Sequence, residues 1–149
     1  MSRIQYKLSA IVAASAFATG CSGGGEELRF GEWQWDITIS RDGQDFLDQS
    51  TDCMTKSEAE DGFEVIVTGF ASNYQCFTKT VEVENDKGVV TIDNCVDNYV
   101  NGTFTLKRRS AKRFTVDGIF NYRDSGRVEL RNISVNAKHI SDTCKLKLD

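Results

Sequence analysis

The chain contains no proline, a single histidine and no Cys-x-x-Cys pair among its 149 residues. Without proline, and with glycine spread thinly beyond the N-terminal region, no linker divides the chain and one domain is expected. His139 and the separated cysteines lack the spacing of a tetrahedral zinc site. A Gly-x-Ser-x-Gly motif, a Cys/His pairing and a phosphate-binding glycine loop are also missing. These absences predict a protein that is not an enzyme and uses no metal or cofactor.

The single histidine and the carboxylates on the predicted strands are explained by their positions in the fold, without a catalytic role. His139 stands near a predicted strand end and is expected at the surface. Four carboxylates occupy outward positions of the strand alternation, where solvation explains them better than paired acid–base work on a sugar. They are Asp36, Glu82, Glu84 and Glu129.

The N-terminal segment predicts export. Arg3 and Lys7 precede an apolar stretch from Leu8 to Thr19, which is shorter than the roughly 20 residues that span a bilayer and is typical of a signal peptide over residues 1–20. Without Arg3 and Lys7, 16 Lys and Arg stand against 22 Asp and Glu, a net charge of −6. That acidic balance argues against a nucleic-acid partner.

The end of this segment, Ala18-Thr19-Gly20-Cys21, resembles the bacterial lipobox, whose cysteine receives a diacylglycerol. The alternative is an ordinary signal peptide that leaves a free Cys21. Ser22 and three glycines follow, so residues 21–27 predict a lipidated cysteine with a flexible tether. By the rule for enteric bacteria, Ser22 favours the outer membrane. We therefore expect a lipid-anchored protein of the bacterial cell envelope that faces the periplasm.

The four other cysteines predict two disulfides, as is usual in a short exported domain. We expect the pairs Cys76–Cys95 and Cys53–Cys144, because a two-residue Asn85-Asp86 turn would place Cys76 opposite Cys95 and leave Cys53 to pair with Cys144. A four-residue turn would set Cys76 and Cys95 diagonally, about 7–8 Å apart, beyond the usual Cα range for a disulfide.

Residues 28–149 show the period-two alternation of half-buried strands. We predict a mainly all-β domain, an antiparallel meander curled into a half-barrel or a small closed barrel. One short helix should follow Cys53, because Thr55-Lys56-Ser57-Glu58 fits a capping box. A bulge is expected near Arg131-Asn132, where the alternation changes phase. Cys144, Leu146 and Leu148 suggest a last short strand.

The aromatic residues allow two interpretations. Trp33, Trp35, Phe114 and Phe120 are expected in the core. Six aromatics could instead line a cavity for a small apolar ligand, although a filled core is favoured in a domain of this size. They are Trp33, Trp35, Phe77, Phe104, Phe114 and Phe120.

A cluster of five cations stands at a predicted hairpin tip on this acidic chain. One interpretation is contact with an anionic partner, such as lipid phosphates or an acidic protein. The alternative is a solvated tip that discourages strand pairing at a sheet edge. The cations are Lys107, Arg108, Arg109, Lys112 and Arg113.

Several of these motifs together resemble an exported bacterial family known as domain of unknown function 3617. Gly31-Glu32-Trp33 opens the first strand, Thr51-Asp52-Cys53-Met54-Thr55 follows, Cys76 and Cys95 flank a hairpin, and Cys144 closes the domain. Phe30 stands where the family usually has proline. The resemblance spans about residues 28–144 and implies no established activity.

These features predict a non-enzymatic binding or interaction module of the cell envelope. Its expected partners are the membrane, through the lipid on Cys21, and an unknown protein or small apolar ligand. An inhibitor of a periplasmic hydrolase and a carrier of an apolar ligand are the alternatives, the former by analogy alone.

Overall fold

The computed structural model describes residues 27–145. The predicted signal peptide, Cys21 and most of the tether lie outside the described residues, as do Leu146 and Leu148. Cys144 lies outside any strand, so the described part contains no strand after residue 141. The elements in chain order are β1 (Gly31–Arg41), β2 (Gln44–Met54), α1 (Lys56–Glu60), α2 (Phe63–Ser72), β3 (Cys76–Glu84), β4 (Lys87–Cys95), β5 (Tyr99–Ser110), β6 (Arg113–Asp124) and β7 (Arg127–Ser141).

The strands form one antiparallel sheet with the order β2-β1-β7-β6-β5-β4-β3. Strands β3 to β7 make a meander, and the β1–β2 hairpin joins it because β1 pairs with β7. β2 and β3 are the two edges and do not pair with each other. The predicted antiparallel meander is confirmed, in its open form and not as a closed barrel.

Tight turns set the register of the hairpins. Asn85 adopts a left-handed φ of 50°, which asparagine tolerates better than most residues. Glu84 therefore pairs with Lys87 across a two-residue turn, and Cys76 falls directly opposite Cys95. Of the two turns that the sequence allowed, the structure has the shorter one.

Both predicted disulfides are present. Cys76 and Cys95 are joined across the β3–β4 hairpin, with Cα atoms 3.8 Å apart. Cys53 and Cys144 are joined with a Cα distance of 5.6 Å and a sequence separation of 91. The second bridge fastens the end of β2 to the segment after β7.

The core lies on one face of the sheet, called here the inner face. Trp33, Phe114 and Phe120 are buried there as predicted, whereas Trp35 is half-buried. Phe77 is 78% exposed, so its assignment to a cavity lining or core is wrong. The rings on the inner face contact one another, as in the pair Trp33 and Phe114, whose centroids are 5.4 Å apart.

Two helices carry the chain from edge strand β2 to the opposite edge strand β3. The predicted capping box is confirmed, because Thr55 Oγ1 accepts from the Glu58 amide and Glu58 accepts from the Thr55 amide. The second helix, α2, was not predicted. Its sequence Phe-Glu-Val-Ile-Val-Thr is β-branched and strand-like, and Gly62 before it gives no side-chain cap. Packing on the inner face stabilises it as a helix.

Helix α2 approaches the sheet closely where β4 has Gly88. A Cβ atom at Gly88 would lie 2.5 Å from a methyl group of Val67, which is fully buried. Farther along, Phe70 contacts Phe104 and Tyr74 stacks on the same ring at 5.2 Å. Burial raises the pKa of the Tyr74 phenol well above its ordinary value, so this ring stays neutral inside the core.

Strand β7 pairs with β6 without a register shift, so the predicted bulge near Arg131-Asn132 is wrong. Arg131 explains the change of phase, because its side chain occupies an inner-face position and is 3% exposed. Its guanidinium pairs with Glu129 at 3.0 Å and lies 4.1 Å from the centre of the Tyr122 ring. Glu129 therefore shares the inner face with Arg131, and its predicted outward position is wrong. The residues that broke the pattern therefore point outward and are more than half exposed: Val128 and Leu130.

Candidate anion-binding end of the sheet

Four of the five predicted cations flank the β5–β6 turn at Ala111 and Lys112, and Lys112 lies within it. The register places three other chain segments at the same end of the sheet, here called the basic end. Lys87 of β4 is paired with Lys107, Lys138 of β7 with Arg113, and Glu32 of β1 with Ser141. The turn between β3 and β4 and the start of β1 therefore lie beside the cation cluster.

Pairing across strands enlarges the cluster by two cations. Lys87 lies directly opposite Lys107, and Lys138 lies directly opposite Arg113. Their chain neighbours Leu106, Phe114 and Ala137 are buried on the inner face, so these four cations project from the opposite, outer face. Sequence reasoning missed Lys87 and Lys138, because they come from strands whose register was unknown.

Few acids neutralise the cluster. Arg108 is paired with Asp86 in the neighbouring turn, where its Nε donates at 2.8 Å. Lys138 Nζ lies 3.4 Å from Asp36. Hydrogen bonds from Gln49 and Gln34, together with Lys138, hold the pKa of Asp36 below its usual value. Within residues 27–145, no ion pair involves the other cations: Lys87, Lys107, Arg109, Lys112 and Arg113.

The sheet order weakens one interpretation of the cluster. Cations at an edge strand discourage pairing with another molecule. β5 and β6, however, each have a hydrogen-bonded neighbour on both sides. The basic residues of this hairpin therefore do not protect an edge.

The first described residues are held against the basic end by an N-terminal clamp, defined here as Leu28, Arg29 and Phe30 with their partners. Leu28 is 4% exposed and joins the core. The Arg29 amide donates to the Ala111 carbonyl at 2.8 Å, and Trp33 Nε1 donates to the Arg29 carbonyl at 2.8 Å. The chain therefore enters the domain at the β5–β6 turn.

His139 completes the clamp and corrects its predicted surface position. Its side chain is 6% exposed and lies edge-on to Trp33, with ring centroids 5.8 Å apart. Nε2 is 3.1 Å from the Phe30 carbonyl and 3.3 Å from an Asp142 carboxylate oxygen. This histidine thus connects the N-terminal segment to β7.

Gly31 connects the N-terminal clamp to β1, in a backbone conformation that other residues rarely adopt. Its φ is +118°, and a Cβ atom there would lie 2.1 Å from the Ser141 carbonyl oxygen. The register of β1 against β7 shifts immediately afterwards, between Glu32 and Trp33. Only glycine combines this backbone conformation with so close an approach.

A second feature of the outer face is an open groove of about 430 Å³ across β4 to β7. Asn121 Nδ2 donates to Asn101 Oδ1 at 2.8 Å in its floor. Thr103 lies four residues from Lys107 along β5, roughly 13 Å from the basic end at the usual rise per residue. Outward-facing polar and aliphatic residues line the groove: Thr91, Asp93, Asn101, Thr103, Ile119, Asn121 and Leu130.

The chain matches no model of a known protein family, no curated protein and no solved structure. The resemblance to domain of unknown function 3617 therefore stays a prediction. Neither helix within residues 27–145 has the length and apolar character needed to cross a membrane. In the same range no three His, Cys, Asp or Glu side chains come together as metal ligands.

Proposed function

We propose that the protein is a lipid-anchored, non-enzymatic binding module of the bacterial cell envelope, placed at the outer membrane and facing the periplasm. In this proposal Cys21 carries the acyl chains. Residues 22–27 form a tether, and the seven residue steps from Cys21 to the buried Leu28 span at most about 25 Å.

The N-terminal clamp carries the proposal. Through Arg29 it attaches the chain to the β5–β6 turn directly after the tether. An anchor at Cys21 would therefore hold the sheet by its basic end and leave the groove on the outer face open to a partner or small ligand. The residue types in the groove, from Asp93 to Leu130, suit an occupant with both polar and apolar groups.

The two alternatives have less support. An inhibitor of a hydrolase inserts a loop into its target, but successive strands of residues 27–145 are joined by two or three residues, apart from the helical crossover. A carrier needs an open apolar interior, whereas the inner-face rings contact one another. Phe104, for example, lies 5.8 Å from Phe120 between ring centroids.

Substitution of Cys21 tests the anchor. Cys21→Ala is expected to abolish incorporation of an alkyne-tagged palmitate in the bacterium and to leave an unprocessed precursor, because the thiol is the acceptor for the lipid. Labelling is followed by in-gel fluorescence. Ser22→Ala is the matched control and should label like the parent. A Cys21→Ala protein that is processed and labelled normally would refute the anchor.

A further inference from the structure

The outer face of the basic end contains two pairs of like charges side by side. Lys87 faces Lys107, and Arg113 faces Lys138. Opposed like charges destabilise a sheet, and the chain as a whole has a net charge of −4. An anionic surface laid across these strands would relieve both repulsions together.

The acids near this surface provide that relief only in part. Asp36 neutralises Lys138 at 3.4 Å, whereas Asp86 pairs with Arg108, so the repulsion between Lys87 and Lys107 is not relieved by either acid. Glu84 stands opposite Lys87 in the β3–β4 hairpin but forms no ion pair with it. The patch of Lys87, Lys107 and Arg113 therefore remains available to an external anion.

We propose that the basic end docks on the anionic phospholipid headgroups of the membrane that carries the anchor. This inference rests on the proposed function, since the clamp places residue 29 at the β5–β6 turn and the eight residue steps from Cys21 to Arg29 keep that turn within about 29 Å of the lipidated cysteine. Docking would fix the orientation of the sheet, with the Asp42-Gly43 and Ser125-Gly126 turns pointing away from the bilayer.

Lysine acetylation of the anchored protein measures this contact. The processed lipoprotein is reconstituted into vesicles of phosphatidylcholine alone or mixed equally with phosphatidylglycerol, and acetylation rates are read by mass spectrometry. Lys107 and Lys112 should react several-fold more slowly on the anionic vesicles. Lys79, on edge strand β3, should react at the same rate on both. Molar salt should remove the difference, since it shortens the Debye length to about 3 Å.

A charge-neutralised variant tests which cations act. Each cation near an anionic surface contributes about a fivefold factor to partitioning. Lys87→Gln, Lys107→Gln and Arg113→Gln together should speed transfer of the lipoprotein from anionic to neutral vesicles by about 100-fold. The matched control neutralises three exposed cations elsewhere and should transfer like the parent: Lys79→Gln, Arg123→Gln and Arg127→Gln. Circular dichroism verifies that both variants keep the sheet.

The outcomes separate this inference from the anchor itself. Equal acetylation of Lys107 and Lys112 on both kinds of vesicle, or equal transfer of the two variants, would overturn the docking. Protection by free inorganic phosphate on neutral vesicles would also overturn it, because the site would then take a soluble anion. Failure of palmitate labelling at Cys21 would instead overturn the anchor.

Discussion

Trp33→Ala is expected to lower the free energy of unfolding by about 3–5 kcal/mol, because the indole is 1% exposed in the core. The substitution also removes the donor to the Arg29 carbonyl and the ring that packs against His139. Loss of both contacts should release the N-terminal clamp. Urea unfolding followed by far-UV circular dichroism measures the change in stability.

Trp33→Phe is the milder comparison, since it keeps an aromatic ring in the core but removes the Nε1 donor and part of the indole. Loss of the donor by itself should cost roughly 1–2 kcal/mol. Hydrogen exchange at the Arg29 amide reports the clamp and should rise in both variants. A Trp33→Ala protein as stable as the parent would contradict the burial of this residue.

Removal of the Cys53–Cys144 bridge is the second large effect that we expect. The bridge closes a loop with a sequence separation of 91, so the chain-entropy account assigns it roughly 4–5 kcal/mol. Cys53→Ser with Cys144→Ser should therefore lower the urea midpoint strongly, measured by the same circular dichroism signal.

The Cys76–Cys95 bridge supplies the comparison. Its separation is 19 residues, and the same account gives roughly 3 kcal/mol. Cys76→Ser with Cys95→Ser should thus be the milder pair. If it destabilises the protein more than loss of Cys53–Cys144, the chain-entropy account does not describe these two bridges.

Local signals in the sequence predicted much of the fold. The turn residues Asn85-Asp86 and the alternation from Trp33 to Ile39 are local signals, because each involves only residues that are close in the sequence. These signals indicated the strands and favoured the β3–β4 register in which Cys76 faces Cys95. The capping box at Thr55 is equally local. Helix α2 escaped prediction because contacts such as Val67 against Gly88 override its strand-like composition.

Arg131 shows a second limit of the pattern. A buried arginine, paired with Glu129 and lying over Tyr122, occupies an inner position where an apolar residue was expected. The order of apolar and polar residues therefore changes phase along β7, while the side chains continue to alternate between the two faces of the sheet. A bulge and a buried charge give the same sequence pattern, and only the partners of Arg131 distinguish them.

The candidate site was predicted in part. The run from Lys107 to Arg113 is contiguous and therefore visible in the sequence. The contribution of Lys87 and Lys138 depends on strand register, and the clamp depends on contacts such as the one between Phe30 and His139, which are 109 residues apart. The isolated His139 gave no signal of this role.

Residue-level hydrogen exchange of the lipidated protein on vesicles tests the central claim, that the basic end of the domain binds the membrane surface. The account predicts that amides of the Asn85-Asp86 and Ala111-Lys112 turns exchange more slowly on phosphatidylglycerol than on phosphatidylcholine. Amides of the Asp42-Gly43 and Ser125-Gly126 turns should exchange at the same rate on both. Protection of the Ser125-Gly126 turn, or of no turn at all, would contradict the account.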